Sequence, residues 1–352
     1  MAGPPVTLFY SAEMAARHAR VMRGVTGAVL NLTNRCNLKC RHCFNGSGPR
    51  AAASGEMDDA AVEGVVRQLA DVKPFNVCFS GGEPLLRHGL LLRCAGLLAA
   101  AGVRTSIVTN GCLVTPRVAG DLAAAGVAEV EVSIDGARPE THERLRGVRG
   151  AFQAAVDGIR CLVAAGVTTS LSFTLTSWNG GDFRDVCRQG LALGVRAVLV
   201  RPMMPMGTAL RHLDGMAPSG AQYRALAREA CELKWRGDGP EVWLTDVLSH
   251  IFTFRGQECV PCVEVKATGA LIPTPYIQYS YGNVRRHTLA EYWDAGLYRA
   301  WRLPAVAQVA SAMDSMAELT GAVARIPPLP PGRPSHCDLI DDAPGVWGGD
   351  GP

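Results

Sequence analysis

The most constraining feature of this sequence is a short motif that recurs where predicted helices give way to predicted strands. The motif is Ala-Ala-Gly-Val at 100–103, 124–127 and 164–167, and Ala-Leu-Gly-Val at 192–195. Each glycine suits the left-handed conformation just past a helix end, where a side chain would be strained. A short, mostly apolar run rich in β-branched residues follows each motif, as in a strand covered on both faces. The repeat therefore predicts alternating helices and strands, which form a parallel sheet with right-handed crossovers.

Two more strands are predicted upstream, at 28–32 and 76–79, which gives six strand–helix units before about residue 205. Six units are too few for the eight-stranded barrel. The expected fold class is α/β, a partial (β/α)6 TIM-like barrel. After residue 206 the rhythm changes to a helix near 221–235, a β-like stretch at 259–284 and an amphipathic segment at 289–303. This pattern indicates a smaller, irregular α+β C-terminal extension.

We expect four divisions of the chain. They are an N-terminal extension (1–24), the barrel (25–205), the C-terminal domain (206–325) and a Pro/Gly-rich tail (326–352).

Composition narrows the classes of partner and location. The formal charge is +3 and no run of basic residues alternates with aromatic ones, so we expect no nucleic-acid partner. No stretch of eighteen apolar residues is present, which predicts no membrane span, and the first residues do not resemble a secretory signal. Twelve cysteines in such a chain favour metal binding and reduced thiols, and the cytoplasm is the predicted location.

Three cysteines follow the first predicted strand with the spacing C-x3-C-x2-C, at Cys36, Cys40 and Cys43. Three thiolates on one loop suit a four-iron cluster, because each sulfur takes one iron and the fourth iron stays open to a ligand. The alternative from spacing is a single zinc ion, with His42 or a distant cysteine as fourth ligand, in a non-catalytic scaffold.

Four segments in order carry a family resemblance: CNLKCRHC at 36–43, SGGEPLL at 80–86, TNG at 109–111 and SIDG at 133–136. Together they resemble the radical S-adenosylmethionine (SAM) superfamily over roughly residues 25–205. The resemblance implies a four-iron, four-sulfur (4Fe-4S) cluster on Cys36, Cys40 and Cys43. It implies that SAM is cleaved to a 5′-deoxyadenosyl radical that abstracts hydrogen from a substrate. It also implies an external electron donor such as flavodoxin or ferredoxin.

The resemblance extends to expected SAM contacts. Glu83 belongs to the segment that contacts the SAM amino group, Ser133 and Asp135 match the ribose-contacting position, and His42 stands near the adenine. The remaining expected contacts are Gly81, Gly82, Asn110 and Arg146, the two glycines because they let the backbone approach a ligand closely. Arg146 suits the SAM carboxylate because a guanidinium binds a carboxylate with two hydrogen bonds, but a solvated arginine on a helix is an equal alternative. Asp135-Gly136 is also a common turn pair.

Residues 259–293 resemble the SPASM/Twitch extension, which binds auxiliary iron–sulfur clusters. This chain departs from the pattern at Thr274, where the family has cysteine, and it offers only Cys259, Cys262 and Cys337. Three interpretations stay open: an extension without a cluster, a second iron–sulfur cluster on these cysteines, or a thiol that donates hydrogen to a substrate radical. The other six cysteines are expected to be small buried apolar residues: Cys78, Cys94, Cys112, Cys161, Cys187 and Cys231.

The expected substrate is a small polar natural-product intermediate, such as an aminosugar, aminocyclitol or sugar nucleoside. Only 35 residues precede Cys36, too few for an independent leader-binding domain. The reaction would be dehydrogenation, epimerisation, dehydration or decarboxylation. Arg201, Met203 and Met204 end the sixth strand and are expected near the substrate. The alternative function is a ribosomal-peptide maturase whose leader-binding protein is separate.

Overall fold

The computed structural model describes residues 24–51, 54–236, 239–245, 247–313 and 336–342. Nearly all of the expected N-terminal extension at 1–24 lies outside the described residues, as does most of the expected tail at 326–352.

The described strands form one sheet, in the spatial order β10-β9-β8-β1-β2-β3-β4-β5-β6-β7. The strands are β1 (Gly27–Asn31), β2 (Asn76–Ser80), β3 (Arg104–Thr109), β4 (Glu129–Ser133), β5 (Thr168–Leu175), β6 (Ala197–Pro202), β7 (Glu241–Leu244), β8 (Cys262–Val265), β9 (Ala270–Ile272) and β10 (Gly282–Asn283).

Neighbouring strands from β1 to β7 pair in parallel, and β8 also pairs in parallel with the other edge of β1. The six predicted strands are therefore present, and two strands from the second half of the chain extend their sheet on both sides. Strands β9 and β10 add an antiparallel edge. The α/β fold class predicted from the repeat is confirmed.

The helices are α1 (Asp59–Val72), α2 (His88–Ala100), α3 (Pro116–Ala124), α4 (Pro139–Arg146), α5 (Ala151–Ala164), α6 (Phe183–Leu193), α7 (Gly220–Arg236), α8 (Val247–Phe254), α9 (Leu289–Asp294) and α10 (Pro304–Ser311). The glycines of the recurring motif all have positive φ angles between 75° and 81°, as the motif requires: Gly102, Gly126, Gly166 and Gly194. Helix α3 begins at a Thr115 cap, whose side chain accepts a hydrogen bond from the Val118 N–H.

Alternation along the strands separates the core from the barrel lumen. In β2, Val77 and Phe79 are fully buried and belong to the main apolar core, which also contains Val62 and Val66 of α1. The opposite face of the strand carries Cys78 and Ser80, which line a cavity. Helices therefore cover the outside of the sheet, and polar side chains collect inside it.

The predicted boundary near residue 205 falls between strands of one sheet. Strand β7 pairs with β6, and β8 pairs with β1. The division of the chain at this boundary stays a prediction. No described helix is long and apolar enough to cross a membrane.

Candidate active site

The loop that joins β1 to α1 has two faces. Its inward residues are Cys36, Leu38, Cys40 and His42, all buried. Its outward residues include Arg35, Lys39 and Arg41, all exposed. The inward residues and Cys43 line a cavity of about 410 Å³ at the carboxyl ends of the parallel strands. This is the end at which open α/β folds place their sites.

Backbone hydrogen bonds hold the loop in this position. The Lys39 N–H donates to the Arg146 carbonyl (3.2 Å), and the Arg41 N–H donates to the Leu145 carbonyl (2.9 Å). At the start of the loop, the Glu56 carboxylate accepts from the Asn34 N–H at 2.6 Å. The cysteine segment is therefore fixed against the end of α4, although it has no regular secondary structure.

Gly81 and Gly82 pack closely against the backbone of the cysteine loop. A Cβ on Gly82 would lie 2.1 Å from the Arg35 carbonyl oxygen, and one on Gly81 would lie 2.4 Å from that of Thr33. Gly81 also has a φ of 133°. The sequence explains these glycines by close approach to a ligand, whereas the structure gives the close approach of the cysteine loop as the reason. Both glycines still line the cavity.

Glu83 lies away from the cavity. It is fully buried, and its carboxylate accepts from the Thr109 hydroxyl (2.7 Å), the Asn110 N–H (2.9 Å) and the Leu85 N–H (3.1 Å). A direct contact with the SAM amino group therefore finds no support in this geometry. Asn110 does line the cavity, and its side-chain amide lies 3.7 Å from the Cys36 Sγ.

Asp135, His42 and Arg146 form one buried charged group. The Asp135 carboxylate lies 2.7 Å from Arg146 Nη2 and 3.1 Å from His42 Nε2. Burial opposes ionisation of Asp135, but Arg146 and His42 outweigh it and hold its pKa below the ordinary value. Asp135 is fully buried and is not among the cavity-lining residues, so the expected ribose contact finds no support here.

Arg146 is not a solvated helix arginine. It is buried, and Nη1 lies 3.8 Å from the Cys40 Sγ. Its carboxylate partner in the structure is Asp135, while the guanidinium edge still reaches the cavity. The Nε atom of Arg146 and Nδ1 of His42 are buried without a hydrogen-bond partner among the described residues. Two unsatisfied polar atoms beside the cysteines fit a site that binds a polar cofactor.

The cysteine donors fit an iron–sulfur cluster. Burial raises the pKa of the Cys36 thiol, and it raises that of Cys40 to about 12, against the opposing effect of Arg146. Thiolates here therefore need the positive charge of bound metal. In a zinc site the sulfurs stand ~3.8 Å apart, from the usual bond length and tetrahedral angle. Within the part of the chain described, no three cysteine sulfurs lie within 4.8 Å of one another. The spread of the thiols favours a cluster over one zinc ion.

Ser133 lines the cavity as expected, together with Arg201 and Met204, whereas Met203 packs elsewhere against Leu145. Arg201 donates to both oxygens of Glu131 (2.8 and 3.2 Å) and to the Ser172 hydroxyl (2.8 Å). A paired arginine and carboxylate thus face the lumen below the cysteine loop.

Sequence reasoning missed two lumen residues. Cys78, expected to be an apolar core residue, lines the cavity, and burial raises its pKa to about 11. Glu264 of β8 also lines it and is only 5% exposed. Glu264 Oε1 accepts from Asn31 Nδ2 at 2.7 Å and lies 3.8 Å from Lys266 Nζ. The alternation in Asn-Val-Cys-Phe-Ser and Cys-Val-Glu-Val could have predicted both residues. In each strand, the polar side chain points to the face opposite that of its apolar neighbours.

The auxiliary cysteines lie at the other end of the sheet. Cys262 begins β8, and its register partner is Gly27, at the amino end of β1. Cys262 is close enough to Cys259 to contribute to the raised pKa of the Cys259 thiol, whereas the Cys337 N–H donates to the Ser280 carbonyl. Thr274 is buried. A second cluster on these three thiols stays a prediction.

Comparison with known proteins agrees with this geometry. The profile of the Radical SAM superfamily matches residues 30–189. An AdoMet-dependent heme synthase of Nitratidesulfovibrio vulgaris is 30% identical over 287 residues, 74% of this chain and 77% of that protein. A PqqA peptide cyclase of Rhizobium meliloti is 24% identical over 308 residues, 84% of this chain and 80% of that protein.

A solved structure shares the fold. It is Streptococcus suis SuiB bound to S-adenosylmethionine, with a TM-score of 0.65 and 15% identity, covering 85% of this chain and 71% of the other. The family assignment makes a 4Fe-4S cluster and SAM the cofactors and removes the zinc-scaffold alternative. This chain belongs to the radical SAM superfamily and is an enzyme.

Proposed function

We propose that this enzyme is a peptide maturase that modifies a polar side chain presented to the barrel lumen, with a separate protein binding the peptide leader. The observation that carries the proposal is the polar lining of the cavity, which includes Glu264 of β8 and the Arg201–Glu131 pair. The name of the PqqA peptide cyclase relative supports a peptide substrate. This order reverses the expectation from sequence, which placed a small molecule first.

The bound cofactors supply a reactive carbon radical that takes hydrogen from an unactivated carbon. The chain itself must position the substrate and exclude competing reactions. Glu264 provides an acceptor for an amino, amide or hydroxyl group of the substrate. A substrate donor that reaches this carboxylate forms a charge-assisted hydrogen bond, so such a donor is bound preferentially.

Arg201 and Glu131 act as a fixed unit. Because the guanidinium is already paired with Glu131 and Ser172, the lumen carries no unpaired charge at this position. Such a pair presents donors and acceptors in a rigid arrangement, which orients a polar group without attracting a strongly charged one.

The second candidate is the small polar natural-product intermediate expected from sequence, an aminosugar, aminocyclitol or sugar nucleoside. The polar lining of the cavity favours it, because Glu131, Arg201 and Glu264 offer acceptors and donors to a compact polar molecule. The relative named as a heme synthase gives a tetrapyrrole as a further compound to test.

The test uses anaerobically reconstituted enzyme with SAM and dithionite, and it follows 5′-deoxyadenosine and the substrate mass. One arm contains a precursor peptide encoded near the gene with its leader-binding protein, the second contains aminosugars and aminocyclitols, and the third contains iron coproporphyrin. We expect the peptide to accelerate 5′-deoxyadenosine formation and to change mass. Turnover of an aminosugar or the tetrapyrrole instead would reject the peptide proposal.

Glu264→Gln is the matched variant in the productive arm. It keeps the Asn31 hydrogen bond and removes the negative charge, so we expect KM to rise about tenfold, an energy appropriate to one charge-assisted hydrogen bond. Cleavage of SAM without substrate should change less than twofold. An unchanged KM would show that Glu264 does not touch the substrate.

A further inference from the structure

The outer face of the cysteine loop belongs to a basic surface that we call the cluster-loop patch. It consists of six exposed cations: Arg35, Lys39, Arg41, Arg50, Arg144 and Arg149. Three parts of the chain contribute to it, so it is not visible as a run of basic residues.

Backbone contacts bring these residues onto one surface. Arg35 forms a bridge with Gly48, two residues before Arg50. Residues 39–41 run beside the end of α4, which carries Arg144. The guanidinium of Arg144 lies 3.8 Å from the ring centre of Trp178, and that of Arg41 lies 5.8 Å from it.

The cations of this patch lack acidic partners. Among the described residues, none of the six lies within 4.0 Å of a carboxylate, whereas the exposed Arg93, Arg104 and Arg160 are all paired. The carboxylates near the patch accept hydrogen bonds from backbone N–H groups instead. Glu56 accepts from Asn34, and Glu143 accepts from the Gly150 N–H at 2.8 Å. Six cations against these two carboxylates leave the patch with a net positive charge.

The patch does not belong to the substrate cavity. None of its six residues lines the cavity, while the alternate positions of the same loop do. Lys39 and Arg41 flank Cys40 directly, so residues of the patch and a cluster ligand are adjacent in the chain. A partner bound here would reach the cysteines through the loop, from the side opposite the substrate.

We propose that the cluster-loop patch docks the acidic protein that delivers electrons to this enzyme, a one-electron carrier of the flavodoxin or ferredoxin class. One electron leaves the carrier, which is oxidised, and enters the iron–sulfur cluster, which is reduced; no bond forms or breaks. The patch shortens the path of that electron, because it places the carrier over the loop. Opposite charges also raise the rate of encounter, an effect that salt weakens strongly.

The first experiment measures binding of full-length reconstituted enzyme to a purified acidic flavodoxin, and in parallel to an acidic ferredoxin, by fluorescence anisotropy. The patch variant is Arg50→Glu/Arg144→Glu/Arg149→Glu. The matched control is Arg117→Glu/Arg224→Glu/Arg228→Glu, which changes the net charge equally at exposed positions outside the patch. At low salt we expect at least tenfold weaker binding for the patch variant and less than threefold for the control.

The second experiment compares two reductants in SAM cleavage without substrate. With flavodoxin hydroquinone the patch variant should lose at least tenfold in rate, and wild type should lose a similar factor at high salt. With dithionite, which needs no docking surface, the patch variant should stay within twofold of wild type. Iron content of each variant is measured alongside.

Three outcomes would overturn the proposal. The control variant could lose as much affinity for the carrier as the patch variant does. The patch variant could also cleave SAM slowly with dithionite, or it could cleave SAM at the wild-type rate with flavodoxin. If the last outcome were accompanied by loss of peptide modification with dithionite, the patch would be a surface for an anionic peptide. The carrier-binding experiment and the SAM-cleavage experiment both omit substrate, so their results are independent of the peptide proposal.

Discussion

Cys40 illustrates how one residue of the motif depends on its surroundings. Burial raises its pKa to about 12, although the adjacent Arg146 favours the thiolate. Arg146 in turn is held by Asp135, which is fully buried. The residues that surround the cysteine therefore orient a cation towards it but do not ionise it by themselves, and bound iron must supply the remaining stabilisation.

The first prediction separates the two sets of cysteines. Replacing Cys43 by alanine removes one of three protein ligands of the cluster, so iron should fall from about four atoms per chain to below one. Cys262→Ala should leave at least three-quarters of the iron, because Cys262 lies at the opposite end of the sheet. Iron analysis and absorbance of anaerobic protein provide the measurement. Loss of half of about eight irons in Cys262→Ala would instead establish a second cluster.

The second prediction concerns the charge on Glu264. Burial raises the pKa of this carboxyl in the folded protein, against the opposing effect of Lys266. Ionisation therefore costs folding free energy, and stability is lost as the pH rises through the folded pKa. Relative to wild type, Glu264→Gln should therefore gain stability as the pH rises above the ordinary glutamate pKa of about 4.3.

Denaturant unfolding of the iron-free proteins at several pH values checks this expectation. Glu291→Gln is a control carboxyl on an exposed helix, where the pKa is lowered instead because Thr288 stabilises the charge. A Glu264→Gln advantage that does not grow with pH would mean that Lys266 already neutralises Glu264.

At the scale of elements, the sequence predicted what depends on local rules. The four motif glycines, the Thr115 cap and the six central strands are local signals, and all are present in the structure. The ordered strand-end motifs identified the family. What the sequence did not reveal depends on contacts between distant segments. The pairing of β8 with β1 places Glu264 in the lumen, and the packing of α4 against the loop brings Arg146 to Asp135.

The third prediction tests the contact between the GGEP segment and the cysteine loop. Gly82→Ala would place a Cβ 2.1 Å from the Arg35 carbonyl oxygen, so the loop must move. We expect a loss of at least ~2 kcal/mol in unfolding free energy, together with loss of iron. Gly96→Ala in α2 is the control, since nothing lies within 4 Å of its added Cβ, and it should stabilise by ~0.5–1 kcal/mol. Equal stability of the two variants would contradict the observed packing.

At the scale of the whole molecule, averages conceal the arrangement of charge. The formal charge of +3 and the absence of a basic run predict no nucleic-acid partner. The fold nevertheless gathers six cations around the cysteine loop, because the loop alternates its side chains, α4 adds Arg144 and the turn after α4 adds Arg149. Composition thus argues against a nucleic-acid partner, but the clustering of charges on one surface becomes visible only in the folded chain.

The last prediction concerns the boundary near residue 205. Strand β1 lies between β2 and β8, and β6 lies between β5 and β7, so a fragment of residues 1–205 exposes two strand edges. It also uncovers parts of a core that includes Val200 and Val265. Unpaired edges favour association with other chains. We therefore expect this fragment to self-associate and to unfold without a cooperative transition.

A fragment of residues 1–313 serves as the control, because it keeps every described strand. It loses the Tyr292–Asp338 hydrogen bond of 2.9 Å, two backbone hydrogen bonds from Cys337 and Leu339 and the burial of Leu339. It should stay monomeric on size-exclusion chromatography and unfold cooperatively, with a lowered stability. A monomeric, cooperative 1–205 fragment would make the barrel an independent domain. Failure of the short fragment alone would show that the second half of the chain completes the sheet on which the cysteine loop depends.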